Sequence, residues 1–191
     1  MSPTNMSGPG LAPDQIARLD AAIGGRSPEQ ACLAVQSLLP LMVDDLVQDL
    51  PAAIFQPVDG HYARRLLHVS PALGYSVVAM TWAPGQGTPL HDHDHQWCTD
   101  VVLQGVLDVT TYQKGDQTAA GWHFTPGAVL RQQRGQCSAL IPPAEYHTVR
   151  NPDLAAIAVS LHVYQGTIDH CSVFEPVGDT WQPRRISTWL D

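Results

Sequence analysis

Three imidazoles carry the first chemical suggestion in this chain. His91 and His93 stand two residues apart, so on a β-strand both side chains leave one face while Asp92 points away from it. His147 follows 54 residues after His93, on a separate segment that a barrel can bring alongside. Imidazole nitrogens suit iron, zinc, copper and nickel, and three protein ligands that leave one face open suit a non-haem iron(II) binding substrate and oxygen together. A neutral three-histidine set leaves such an ion its full charge, which favours an incoming thiolate. The competing reading is three unrelated histidines, two of them near a surface loop. His95 could share their face and is read as lying behind the ligands or exposed.

A second alternation runs Ser160, His162, Tyr164, with Leu161 and Val163 between them. The apolar pair would pack outward, leaving a hydroxyl, an imidazole and a phenol facing a barrel interior, where each needs a hydrogen-bond partner. Such a row is costly unless it is satisfied or functional. An ordinary hydrogen-bonded strand is the plainer alternative.

These residues need elements to carry them. From Tyr62 onward, short β-rich runs are separated by Gly and Pro turns: residues 65–69, 75–82, 97–103, 106–113, 128–131, 138–141, 147–151 and 156–164. Regularly spaced strands of this kind predict a sandwich or barrel. Ahead of them, residues 14–22 read as a short amphipathic helix ending at Gly24-Gly25. Ser27 reads as an N-cap before Pro28, with a second apolar helix over residues 31–42. Residues 1–13 should be loosely ordered. The expectation is one domain: residues 1–50 as a disordered start and a helical cover, residues 51–191 as the barrel with a C-terminal extension.

Composition narrows the partners. At 191 residues the chain can bury one full core, and its 15% charged and 44% hydrophobic residues fit a turn-rich globular protein. A net charge of -8 with no basic cluster beyond Arg64-Arg65 and Arg184-Arg185 argues against nucleic acid or an anionic membrane. No apolar run approaches the roughly 18 residues of a spanning helix, and the start lacks the form of a secretion signal. The four cysteines include no C-x-x-C pair, so neither a zinc ribbon nor a disulfide scaffold is indicated, and a reducing cytoplasm fits. A small ligand is the expected partner; oligomeric state is not read from the residues.

Two stretches carry a resemblance. Gly85, five residues, His91, one, His93, four, Cys98, six, Gly105 resembles the first metal motif of cupins, with Cys98 where that motif usually has glutamate. Pro142-Pro143-Ala144-Glu145-Tyr146-His147 and Asn151 resemble the second, with alanine where glycine is usual. The resemblance implies an all-β cupin, a double-stranded β-helix or jelly-roll barrel with helices packed on it, and a metal shell of His91, His93 and His147 without a carboxylate. With Tyr62-Ala63-Arg64, Val102-Leu103-Gln104-Gly105 and Ser160 to Tyr164 added in order, the chain is similar to the cysteine dioxygenase type I family of cupin thiol dioxygenases, as a bacterial-type member.

That likeness implies an Fe(II)-dependent oxidation of L-cysteine by O2 to cysteine sulfinate. It implies that Ser160 orients His162, that His162 orients Tyr164 toward substrate and oxygen, and that Cys98 lies beside Tyr164, where the pair can be joined as a thioether. Arg64 is the implied carboxylate clamp, since a guanidinium offers a planar two-point match. Arg65 is read as the exposed neighbour, and Tyr62 either hydrogen-bonds near Arg64 or packs in the core. Relatives that prefer mercaptopropionate tend to have glutamine at the Arg64 position and a clamp arginine after the tyrosine, but no arginine occurs between Gln165 and Gln182, which favours cysteine. Gln165-Gly166 and Trp97 depart from the animal pattern and could reshape the pocket. Cys171 matches a family cysteine and could be merely packed. The alternatives are another small thiol acid, such as 3-mercaptopropionate or homocysteine, a cupin that binds metal without catalysis, or a metal-dependent isomerase.

Overall fold

Two proline-led starts set the N-terminal helices. In the computed structural model, which describes residues 10–191, α1 spans Pro13–Ile23 and α2 spans Pro28–Leu38. Proline suits the first helical turn, where a backbone N–H would have no partner in the helix. At α2, the Gln30 amide donates to Ser27 Oγ and the Ser27 amide to Gln30 Oε1, closing a capping box. α2 continues through a 3₁₀ turn, Leu39–Met42, into α3, Val43–Asp49. The expected loose segment 1–13 falls up to residue 9 outside the described residues, and Pro13 already opens α1.

Because these pieces run together, Pro28–Asp49 form a 22-residue stretch apolar enough by length and composition to cross a membrane, longer than the sequence suggested. Its apolar face is occupied within the protein. Cys32, Val35, Leu39, Met42 and Leu46 are fully buried and share one core with Val77, Val101, Leu103, Leu161 and Val163 of the sheet beneath.

The strands are β1 Ala63–Ser70, β2 Tyr75–Trp82, β3 Leu90–His91, β4 Cys98–Gln104, β5 Val106–Thr118, β6 Gly121–Gln133, β7 Cys137–Leu140, β8 His147–Arg150, β9 Ala158–Gln165, β10 His170–Val177 and β11 Thr180–Ser187. One sheet has the order β1-β2-β9-β4-β7. The other runs β10-β11-β6-β5-β8-β3 and closes on itself through β3 and β10. Neighbouring strands are antiparallel, and the architecture is an all-β cupin with N-terminal helices on the five-stranded sheet.

Alternation explains why β2 and β9 are buried almost throughout. Val77, Ala79, Leu161 and Val163 face the helices, whereas Val78, Met80, Trp82, Ala158 and Tyr164 face the barrel interior. Gly105 makes the turn between β4 and β5 at φ +74°; a Cβ there would lie 2.6 Å from the Ile157 carbonyl oxygen. Only glycine fits that close approach in the left-handed region.

Three strands were not legible in the sequence. β3 is two residues long, and β10 and β11 contain Pro176 and Pro183 around a Gly178-Asp179 turn, which read as breakers. Here Pro176 stands opposite Trp181 and Pro183 opposite Phe174, both prolines exposed on a hairpin that completes the closed sheet. β5 and β6 also run well past the expected bounds as a long, largely exposed ribbon.

Candidate metal and substrate site

The two sheets face each other across a cavity of about 130 Å³, and residues from both line it. His91 ends β3 and His147 opens β8, where the two are directly opposed in the ladder. The expected strand alternation does not extend to His93, because β3 stops at His91. Asp92 therefore does not point away to a second face. It is buried at the cavity wall, its Oδ1 accepting from the amides of Ser172 at 2.8 Å and Asp94 at 3.2 Å. The chain then turns through Asp94 and His95, both with positive φ, and Arg185 holds Asp94 in a two-point pair at 3.1 and 3.0 Å.

This turn brings His93 back to the other two. One ring nitrogen of each of His91, His93 and His147 lies within 4.8 Å of the others, and the ring centroids are 4.3 to 5.4 Å apart. Nδ1 of His91 donates to the Pro89 carbonyl and Nδ1 of His147 to the Glu145 carbonyl, each at 3.0 Å, which leaves the Nε2 lone pairs free. Burial is the main cause that lowers all three pKa values, with mutual repulsion reinforcing it for His93 and His147. Neutral imidazoles with free lone pairs and no adjacent carboxylate ligand fit a metal ion. His95 is not among them: its side chain is 84% exposed, and Nδ1 lies 3.8 Å from Glu145 Oε1.

The polar row of β9 faces the same interior. Ser160 is fully buried, and its Oγ lies 2.8 Å from His162 Nε2. Trp82, which sequence reasoning passed over, donates its indole Nε1–H to that Oγ at 3.0 Å. An indole can only donate, so Ser160 Oγ accepts from Trp82 and keeps its own proton and a second lone pair for the contact with His162 Nε2. Burial pushes the His162 pKa down to about 3, so the ring is neutral in ordinary buffers. Nδ1 faces Cys98 Sγ at 3.9 Å rather than the phenol; the His162 and Tyr164 rings lie parallel, 5.9 Å apart. His162 thus meets Cys98 through Nδ1 and lies parallel to Tyr164, and a hydrogen bond with Tyr164 opposes the effect of burial on the Cys98 thiol.

Cys98 and Tyr164 are direct partners across β4 and β9. Burial raises both the thiol and the phenol well above their usual pKa values. Two places further along β4, Asp100 is buried, accepts from Ser138 Oγ, and has its pKa raised to about 6 by desolvation. The sequence reading missed it, although the parity of Cys98, Asp100 and Val102 puts all three on one face.

Arg64 enters the cavity from β1, 5% exposed. Among the described residues no side-chain oxygen or carbonyl meets its guanidinium, and its Nε is buried without a partner. Arg65, expected to be exposed, is half-buried and donates to the carbonyls of Ile54 and Gln56 and to Thr81 Oγ1. Tyr62 stacks on Trp82 at 4.5 Å, and burial lifts its phenol to about 12, with Arg64 opposing the shift. Cys171 lines the cavity, its thiol raised to about 11, chiefly by desolvation. Trp189 completes this wall, and nothing in the spacing of the sequence marked it.

A family profile and curated relatives point to the same family. The cysteine dioxygenase type I profile matches residues 32–176. The human protein named cysteine dioxygenase type 1 is 30% identical over 101 residues, 53% of this chain and 50% of that protein, and the zebrafish (Danio rerio) protein of the same name is 28% identical over the same length. The match therefore spans about half the length of these curated relatives. A double-stranded β-helix protein from Klebsiella pneumoniae superposes with a TM-score of 0.48 at 20% identity, covering 70% of this chain and 95% of that one. With the profile matching about three quarters of its length, the chain belongs to the cysteine dioxygenase type I family.

Proposed function

We propose that this protein is an iron(II)-dependent thiol dioxygenase that converts L-cysteine and O2 to cysteine sulfinate. The observation that carries the reading is the pairing of two unmet demands in one cavity: three neutral imidazoles converging on a point, and a buried Arg64 guanidinium with no anionic partner. A buried cation without a counter-ion is costly, and a substrate carboxylate supplies that partner bidentately. A ligand with a carboxylate at one end and a thiol at the other meets both demands.

His91, His93 and His147 would hold the iron, which when bound supplies the redox chemistry with O2 and an open face for a thiolate. Arg64 fixes the carboxylate, so the sulfur is presented in one orientation and the reaction proceeds within one assembly instead of by random encounter. Tyr164, protonated in its buried setting, offers its O–H as a donor to oxygen or substrate. Burial keeps His162 neutral, and Ser160, held in turn by the Trp82 indole, orients its ring through Nε2. Met80, Val149, Ile168 and Val173 exclude water from the reacting sulfur. In the net reaction both atoms of O2 end on sulfur.

The placement of Cys98 opposite Tyr164 supports a thioether between Sγ and the ring. Its formation removes one hydrogen from sulfur and one from the ring, both taken up by O2 as oxidant. Intact-protein mass after aerobic turnover would read it as a loss of two hydrogens, absent from Cys98→Ser.

Protein loaded anaerobically with iron(II), given L-cysteine or 3-mercaptopropionate and then oxygen, tests the function. Oxygen uptake matched by cysteine sulfinate is expected. Sulfinate only from the amine-free thiol would overturn the substrate, and no uptake with either would overturn the reaction.

A further inference from the structure

The segment after β11 leaves the closed sheet, crosses the cavity mouth and lies along β1, the edge strand of the opposite sheet. Its contacts with β1 centre on the arginine. The Asp191 amide donates to the Arg64 carbonyl at 2.7 Å, and the Arg64 amide donates to Asp191 Oδ2 at 2.8 Å. Asp191 Oδ1 meets His61 Nε2 at 3.0 Å. Two residues before, the Trp189 ring packs against Tyr62 at 5.1 Å and His61 at 5.4 Å, with the Arg64 guanidinium carbon 5.8 Å from its centroid. Trp189 lines both the cavity of the three imidazoles and a neighbouring one of about 320 Å³, as do Arg64 and Tyr164.

An edge strand is ordinarily the least constrained part of a sheet. Here the crossing segment satisfies the backbone groups of Arg64 on that edge and places an aromatic face beside its side chain. Arg64 Nε and Trp189 Nε1 are both buried donors without an acceptor, so this corner is short of an acceptor and not of donors.

We propose that Trp189 and Asp191 are positioning residues for substrate recognition: Asp191 fixes the Arg64 backbone and Trp189 fixes its guanidinium, which makes the site selective for thiols that carry a carboxylate. This rests on the dioxygenase reading for its reaction, but not for its binding consequence. Without Trp189 the guanidinium can swing into the neighbouring cavity, and a carboxylate loses its fixed partner while a thiol lacking one loses nothing.

The test compares L-cysteine with cysteamine, which has the thiol and amine but no carboxylate, on the iron-loaded full-length protein. Trp189→Ala is expected to lower the cysteine-to-cysteamine ratio of kcat/KM roughly three- to thirty-fold, the span of one partly buried cation–π contact. The loss should appear in the KM for cysteine, and Trp189→Phe should restore most of it. Asp191→Ala, should Trp189→Ala fold poorly, is expected to shift the ratio in the same direction. Equal losses on both thiols, or an unchanged ratio, would overturn the proposal. Calorimetric binding of the two compounds under argon separates it from the reaction. If wild-type protein oxidises neither, a weakened binding of L-cysteine alone in Trp189→Ala supports the positioning role while the dioxygenase reading falls. Unaltered binding of both in the variant overturns the role.

Discussion

In the proposed function, a guanidinium buried without a counter-ion makes Arg64 the residue on which substrate recognition turns. Lysine keeps the charge but not the planar fork, so Arg64→Lys is expected to raise the KM for L-cysteine roughly ten- to one-hundred-fold, the range of a lost hydrogen bond to a charged group, with a smaller change in kcat. Steady-state kinetics check this, and an unchanged KM would remove the clamp. Asp100 raises a different question, of stability. Its folded pKa of about 6 stands above an ordinary value of 3.8, so the folded state holds the proton more tightly than the unfolded state. The stability this contributes is fully present below about pH 4 and is lost as pH rises through about 6, up to about 3 kcal/mol. In Asp100→Asn that share of the decline should vanish, while Asn Oδ1 can still accept from Ser138. Urea melts of both proteins from pH 4 to 8 decide it; parallel curves would contradict the assignment. The convergence of the imidazoles and the inward polar row were legible in the sequence because His91, His93 and His147 keep a motif spacing and Ser160, His162 and Tyr164 keep strand parity. Trp82, Trp189 and Asp100 were not, since each acquires its meaning only from a neighbour on another strand.

At the scale of elements, the short β3 and the turn after it bring the imidazoles together, and β10 and β11 hold that turn in place. Two devices do so with unequal force. Asp92 is buried and bonded to the Ser172 amide on β10, whereas the Arg185–Asp94 pair is exposed, at 60% and 35% of its side chains. Exposed ion pairs contribute little, while groups that orient ligand loops commonly cost ten-fold or more in metal affinity when removed. Asp92→Ala is therefore expected to weaken iron or zinc binding at least about ten-fold, and Arg185→Met less than about three-fold, by competition with a chromogenic chelator. The reverse order would mean that the surface pair sets the turn. This arrangement was hidden in the sequence because simple alternation predicts that Asp92 leaves the site. It would do so on a continuous strand; the chain instead bends after His91, where β3 pairs with β10, a strand that Pro176 had disguised.

For the molecule as a whole, the five-stranded sheet divides two environments. One face carries Arg64, Cys98, His162 and Tyr164 across the cavity from the three imidazoles of the closed sheet and its turn, and the other is sealed by α1 to α3 through a continuous apolar core. The helices therefore stabilise the sheet that carries Cys98, His162 and Tyr164 without entering the cavity. Leu46→Ala, fully buried under this cover, is expected to cost about 2–5 kcal/mol of stability in a denaturant melt while leaving kcat for the folded fraction within about two-fold. A loss of kcat without a loss of stability would mean that the cover takes part in the site. The layering was visible from the sequence in outline, since helical and strand periodicities change over near Tyr62. Closure of the second sheet by its last hairpin, and the crossing of Thr188 to Asp191 over the cavity, were not, because long-range pairing leaves no local period.

In the proposed function, three imidazoles and Arg64 together hold a thiol acid for oxygenation at sulfur. Iron-loaded protein given L-cysteine under ¹⁸O₂, with the product examined by mass spectrometry, tests it most directly. Cysteine sulfinate carrying both labelled oxygens is the predicted result; product with one label or none, or cystine in place of sulfinate, would contradict it.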